Sequence, residues 1–172
     1  MDSYFKLMVQ KLFLHNINQN KINKKMYQLA QINVARMIGT NIEDPVMKEF
    51  VSHLDSVNRL AEESDGFIWR LKDEENNATS FNPFNDEQII INISVWKDIE
   101  SLEYYTYKTF HVDFVRRRKE WFQKYGKAYY ALWWIKDKEY PTTDEAMKRL
   151  EYLQEKGSSS YAFNFQSVFQ KP

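Results

Sequence analysis

The chain has 172 residues, and 24 Lys plus Arg balance 24 Asp plus Glu, so its formal charge is zero and no global field draws in nucleic acid or an anionic membrane. It has no cysteine, which excludes disulfides, thiolate nucleophiles, thiolate haem ligation and cysteine zinc sites and leaves chemistry to His, carboxylates, Tyr, Arg or a bound cofactor. Only four glycines and no GxGxxG or P-loop pattern argue against phosphate-cradling loops, while 16% aromatic residues suit rigid packing around broad apolar surfaces.

Residues 1–26 read apart from the rest. MDSYFKLMVQKLFLH is mildly amphipathic and NINQNKINKK is a linker-like polar run, so an extension is expected here, poorly ordered or helical. Lys6, Gln10 and Lys11 break the apolar stretch, which lacks a small-residue cleavage site and is too short to span a bilayer. Met26 stands directly before the first strand pattern, so the extension reads as a choice of upstream start. Residues 27–172 are expected to form one domain.

YQLAQINVA alternates, with Ala30, Ile32 and Val34 on one face and Leu29, Gln31, Asn33 and Ala35 on the other, which predicts a strand. Asp44 as N-cap and Pro45 at the first helical position open a helix carrying Met47, Phe50, Val51, Leu54, Val57 and Ala61, stopped by Ser64-Asp65-Gly66. FIWRLK (67–72) is a second strand, DEENNATSFNPFND a polar loop, and QIIINISVW (88–96) a third strand. In that third strand Ile89, Ile91, Ile93 and Val95 make a hydrocarbon face, against Ile90, Asn92, Ser94 and Trp96 on the other. Asp98 caps a helical region running through FHVDFVRRRKEW (110–121). YYALWWIK (129–136) is a fourth strand with one indole of Trp133-Trp134 on each face. Thr142 and Glu145 form a capping box for a last helix with Ala146, Leu150 and Leu153, closed by Gly157, and FNFQSVF (163–169) predicts an edge or swapped strand.

The order βαββαβ with a trailing helix and strand is the ferredoxin-like α+β arrangement with an antiparallel sheet. Its helices cover one sheet face, so the other is expected to be hidden by a second copy in a homodimer. Asn33, Asn92 and Ser94 would then line a semi-polar cavity with Trp96 and either Trp133 or Trp134. Trp69 and Arg118 complete the expected binding set for a small hydrophobic or aromatic ligand. A buried amide left unpaired costs about 1–3 kcal/mol, so Asn33 and Asn92 each need a partner from the other subunit, water or a ligand.

At about 100° per residue, Tyr107, His111, Phe114, Arg118 and Trp121 share one helical stripe while Arg116 and Lys119 point away. The basic run is thereby split between faces, against a nucleic-acid grip. His111, inside the aromatic stripe, has two readings: a core-edge histidine bonded to backbone or carboxylate, or a functional one as proton shuttle or axial haem ligand. Arg118 could hold the carboxylate of a substrate or a haem propionate, or form an ion pair with Glu103 or another acid. His15 and His53 complete no cluster with metal-ligand spacing, so no metal is expected unless haem binds His111.

LAQINVAR (29–36), DGFIWRL (65–71), NISVW (92–96), YKTFHVDFVRRRKEWF (107–122), ALWW (131–134) and PTTDEAMKRLEYL (141–153) together resemble the bacterial family called domain of unknown function 3291. That family lies in the dimeric α/β-barrel superfamily that also holds antibiotic-biosynthesis monooxygenases, and the resemblance runs in order over nearly all of 27–169. It implies a cytoplasmic homodimer enclosing a ligand cavity, and cofactor-independent monooxygenase-like chemistry on a small aromatic substrate if the protein is an enzyme. Asn77 stands where relatives tend to carry glycine, and asparagine also tolerates a left-handed turn. The block 94–122 in addition resembles spheroidene monooxygenase-like haem proteins, which implies His111 as axial ligand in an alternative reading. A third is a non-enzymatic ligand-binding or interaction module.

Overall fold

The structure is a computed structural model that describes residues 27–172. The expectation for residues 1–26 lies outside the described residues. Four strands, β1 (Tyr27–Arg36), β2 (Phe67–Arg70), β3 (Ile89–Trp96) and β4 (Tyr130–Lys136), form one antiparallel sheet in the order β2-β3-β1-β4. Helix α1 (Lys48–Glu62) follows a 3-10 turn, Pro45–Met47. Helices α2 (Ile99–Lys108) and α3 (His111–Arg117) lie between β3 and β4, and α4 (Thr143–Lys156) follows β4. This is the ferredoxin-like α+β order, with α2 and α3 in the place of its second helix and α4 added after the last strand.

Local chemistry sets the element ends where the sequence places them. Asp44 accepts from the Val46 N–H at 3.1 Å, Asp98 from Ser101 at 2.9 Å, and Thr142 from Glu145 at 3.1 Å, each satisfying a donor that the first helical turn leaves open. Gly66 takes φ +80°, and a Cβ there would stand 2.2 Å from the Ser101 hydroxyl, so this turn tolerates only glycine. In the loop after β2 the left-handed residues are Asn76, at φ 62°, and Asn85, at φ 51°, and not Asn77. Asn77 instead bonds the Thr79 N–H through its side chain at 2.8 Å.

The register pairs Leu29, Gln31 and Asn33 with Trp96, Ser94 and Asn92, so the mixed residues of β1 and β3 share one face. The opposite face is hydrocarbon: Ala30, Ile32, Ile93, Val95, Ala131 and Trp133 are all fully buried. Ala146, Leu150 and Leu153 of α4 cover it together with Leu71, Phe81 and Phe84 from the β2–β3 loop. α1 and α2 cover the mixed face through Ala61, Leu102 and Tyr105.

Both faces are therefore covered within one chain. The naked sheet face from which a second copy was inferred is absent among the described residues, because the loop and the last helix fold back onto it. The expected C-terminal strand is also corrected. Phe163 makes one antiparallel bridge to Leu132, at 2.8 and 2.9 Å, after which the chain turns through Asn164 and Ser167 instead of extending along β4.

The long helix expected through 98–121 is broken. Thr109 is extended (φ −103°, ψ −179°), its hydroxyl donating to the Tyr105 carbonyl at 2.6 Å and accepting from the His111 N–H at 3.2 Å. The stripe of aromatics is thus bent in the middle. Tyr107 ends 42% exposed, while His111 turns inward and packs on Tyr105 with ring centroids 4.6 Å apart. Of the basic run, Arg117 pairs with Glu49 and Glu120 at 2.7 Å each, and Arg116 sits near Asp113 at the surface.

Candidate functional site

Between the mixed face of the sheet and the layer of α1, α2 and α3 lies a cavity of about 290 Å³. Its floor is polar where the sheet is central. Gln31 Nε2 donates to Asn92 Oδ1 at 2.6 Å and to Ser94 Oγ at 2.8 Å, and Trp96 Nε1 donates to the same Ser94 Oγ at 2.8 Å. Ser94 Oγ accepts twice, which leaves its own proton to give. Asn92 Nδ2 and the whole Asn33 amide make no hydrogen bond among the described residues, and Asn33 is exposed although it sits on a central strand. Its side chain faces an opening, not a packed layer.

The roof is aromatic. Tyr105 stacks on Trp96 at 5.0 Å, and His111 lies over Tyr105. His111 Nδ1 is 3.3 Å from the Thr106 carbonyl, an acceptor, so Nδ1 carries the proton there and the Nε2 lone pair stays available. Burial pushes the His111 pKa below its ordinary value, against the opposing pull of the Thr106 carbonyl. Burial drives the Tyr105 hydroxyl far above the usual phenol range, so it remains a neutral donor, 3.4 Å from the Val57 carbonyl. His53 of α1 lines the cavity edge-on to Phe114, ring centroids 5.2 Å apart.

Asn33, Asn92, Ser94, Trp96, His111 and Arg118 all line this one cavity. His111 belongs to the helix layer and yet meets the same space as Asn33 and Asn92, because the mixed face is the one the helices cover. Arg118 stands with its guanidinium carbon 4.4 Å from the Tyr129 ring centroid and forms no ion pair among the described residues, so neither Glu103 nor another acid of these residues pairs with it.

Three expected lining residues are corrected. Trp69 pairs opposite Val95 on the hydrocarbon face and packs on Tyr140 at 5.4 Å, because an irregularity between Phe67 and Trp69 shifts its register. Trp133 lies in the hydrocarbon core at 0% exposure. Trp134 is on the mixed face but beyond the cavity, where Nε1 donates to the Phe169 carbonyl at 2.7 Å and the ring packs on Phe163.

Sequence reasoning passed over Gln31, which is two residues from Asn33 on the same face, and Arg70, the one charge inside the apolar run FIWRL. Both had a visible signal: alternation for Gln31, a charge within a strand pattern for Arg70. Arg70 pairs opposite Ser94 and lines the cavity with its side chain 3% exposed.

Over residues 28–172 the sequence matches the family described as Domain of unknown function (DUF3291). The chain belongs to the DUF3291 family. No curated protein matches this DUF3291 chain. Among solved structures, it is similar to a protein of unknown function from Nitrosomonas europaea, at 11% identity and TM-score 0.44, over 69% of this chain and 96% of that one. It is also similar to a protein from Pseudomonas aeruginosa, at 13% identity and TM-score 0.42, over 68% of this chain and 98% of that one. Likeness of this order transfers no residue roles.

A cavity of about 150 Å³ holds benzene, so about 290 Å³ suits one or two fused rings with substituents. The His111 Nε2 lone pair is chemically suited to a haem iron, and Arg118 lines the same cavity. Among the described residues no three His, Asp or Glu side chains come together as a metal cage. No helix of the described residues is long and apolar enough to cross a membrane.

Proposed function

We propose that this DUF3291 protein binds a small, flat molecule of one or two aromatic rings bearing oxygen substituents, in the cavity between sheet and helices. One observation carries the reading: a row of oriented donors, Ser94 Oγ–H, Asn92 Nδ2 and Asn33, on the floor of an otherwise aromatic enclosure. Tyr105, Trp96 and Phe114 supply flat apolar surface, and the floor donors take the oxygens that would otherwise be desolvated without a partner. Calorimetric titration with naphthols and naphthoquinones is expected to give saturable binding, and Val57→Phe, which fills the cavity from α1, to weaken it about tenfold or more. Absence of binding across both classes sinks the proposal.

His111 favours a second, enzymatic reading of the same site. A neutral imidazole with Nδ1 held by the Thr106 carbonyl is set to accept a proton at Nε2 from a bound phenol. The anion then donates electrons to dioxygen, one oxygen atom entering the ring to give a quinone and the other leaving as water. The protein would contribute orientation, desolvation and the floor donors, with no cofactor. This reading predicts oxygen uptake with a naphthol, and a fall of about 10²-fold in kcat for His111→Ala. Saturable binding without oxygen uptake leaves the protein a ligand carrier.

A further inference from the structure

The cavity is lopsided in charge. Two arginines, Arg70 and Arg118, line it, and among the described residues no aspartate or glutamate does. The whole chain is neutral, so this positive lining is local and not a reflection of composition.

Arg70 is the informative member. It sits on β2 opposite Ser94, its side chain only 3% exposed, and its Nε reaches Glu62 at 2.9 Å. Glu62 does not line the cavity and is 36% exposed, so water shares its charge. Nη2 is occupied by the Asn76 carbonyl and the Asn76 Oδ1, both at 2.9 Å. Nη1 has no hydrogen-bond partner among the described residues, yet it is not one of the fully enclosed polar atoms left without a partner. A buried cation with one half-exposed counter-charge and one accessible, unused nitrogen is incomplete as a structural ion pair.

The geometry points to Arg70 as the anchor for the carboxylate of an aromatic acid, so that the ligand of the proposed site is a small anionic one. This assignment rests on the binding proposed above and specifies its substrate class. Arg70 Nη1 would donate to one carboxylate oxygen, and the Ser94 hydroxyl and Asn92 amide, on the adjoining strand, are placed for the other. The rings would then extend along Trp96 and Tyr105 toward His111. Arg118, already laid on Tyr129, lines the same cavity without closing an ion pair and adds to the field that draws an anion in.

The test is calorimetric titration with 2-naphthoate and 2-naphthamide, which have the same rings and differ in charge. Wild-type protein is expected to prefer naphthoate by about tenfold or more, the scale of one charge-assisted hydrogen bond. Arg70→Met is expected to abolish that preference by weakening naphthoate far more than naphthamide, and Arg118→Met to reduce the preference without abolishing it. Equal affinity of the wild-type protein for both probes overturns the assignment while leaving the binding proposal standing, and needs no variant to fold. A preference that survives Arg70→Met, or that disappears with Arg118→Met, overturns it as well. If neither probe binds, the binding proposal fails and this assignment with it.

Discussion

The two faces of the sheet are built from the same strands and do opposite work. The hydrocarbon face carries Ile32, Ile93, Val95 and Trp133, closed under α4 and the β2–β3 loop with no exposure left. The mixed face carries Gln31, Asn33, Asn92 and Ser94, and the helices above it stand off far enough to leave a cavity. Hydrocarbon packed to crystal-like density needs no hydrogen-bond partner, the buried Trp133 Nε1 being the one polar atom of that face without a partner among the described residues, whereas amides on a sheet must either bond one another or meet something from outside. Gln31 and Ser94 took the first route and Asn33 the second. The stable half of the fold and the receptive half are thus separated by the thickness of one sheet.

The largest test of that division is Trp133→Ala. Removing a fully buried indole from the hydrocarbon face is expected to cost about 3–5 kcal/mol in urea unfolding, whereas Asn33→Ala, across the sheet, should stay within about 0.5 kcal/mol. Similar costs for the two would erase the distinction between the faces.

Ser94→Ala sharpens the comparison inside the mixed face. Ser94 Oγ is the acceptor for both Trp96 Nε1 and Gln31 Nε2, so its loss strands a buried indole N–H and should cost about 1–3 kcal/mol by the same unfolding measurement. A neutral result would mean that the floor amides rearrange freely and are not held ready for a ligand.

The smallest effect is in pH. Burial holds His111 below its ordinary pKa in the fold, while the unfolded chain takes up the proton near the ordinary histidine value of about 6.5. The unfolded state therefore binds more protons in that window. Stability is complete above about pH 6.5 and falls as pH drops, until the lower folded pKa is passed. Urea midpoints at about pH 7.5 and about 5.5 are expected to differ more in the wild type than in His111→Phe, which keeps a ring and removes the titration. The same shift gives any His111-dependent oxygen uptake a rise with pH through the folded pKa, because the base must be neutral.

Alternation along β1 and β3 sorted the residues onto two faces, and the register pairing Asn33 with Asn92 and Gln31 with Ser94 keeps that sorting intact. Caps at Asp44, Asp98 and Thr142 were equally legible, since each acts within two or three residues of itself. The break at Thr109 was not. Helical spacing carried the stripe straight through, whereas a threonine bonding both Tyr105 and His111 ended one helix and started another. Arg70 was visible only as a charge in an apolar run, because the irregularity before Trp69 decides which way each side chain of β2 points.

Spacing and bonds between near neighbours carried the ferredoxin-like order, the helix caps at Asp44, Asp98 and Thr142 and the composition of each sheet face. Long-range packing settled that α1 and α2 cover the mixed face, that α4 and the loop 71–88 seal the other, and that His111 and Arg70 share a cavity with the floor amides. Those outcomes rest on pairings between residues far apart in the chain. Side-chain alternation names the two faces of a strand but holds no information about what will lie on either.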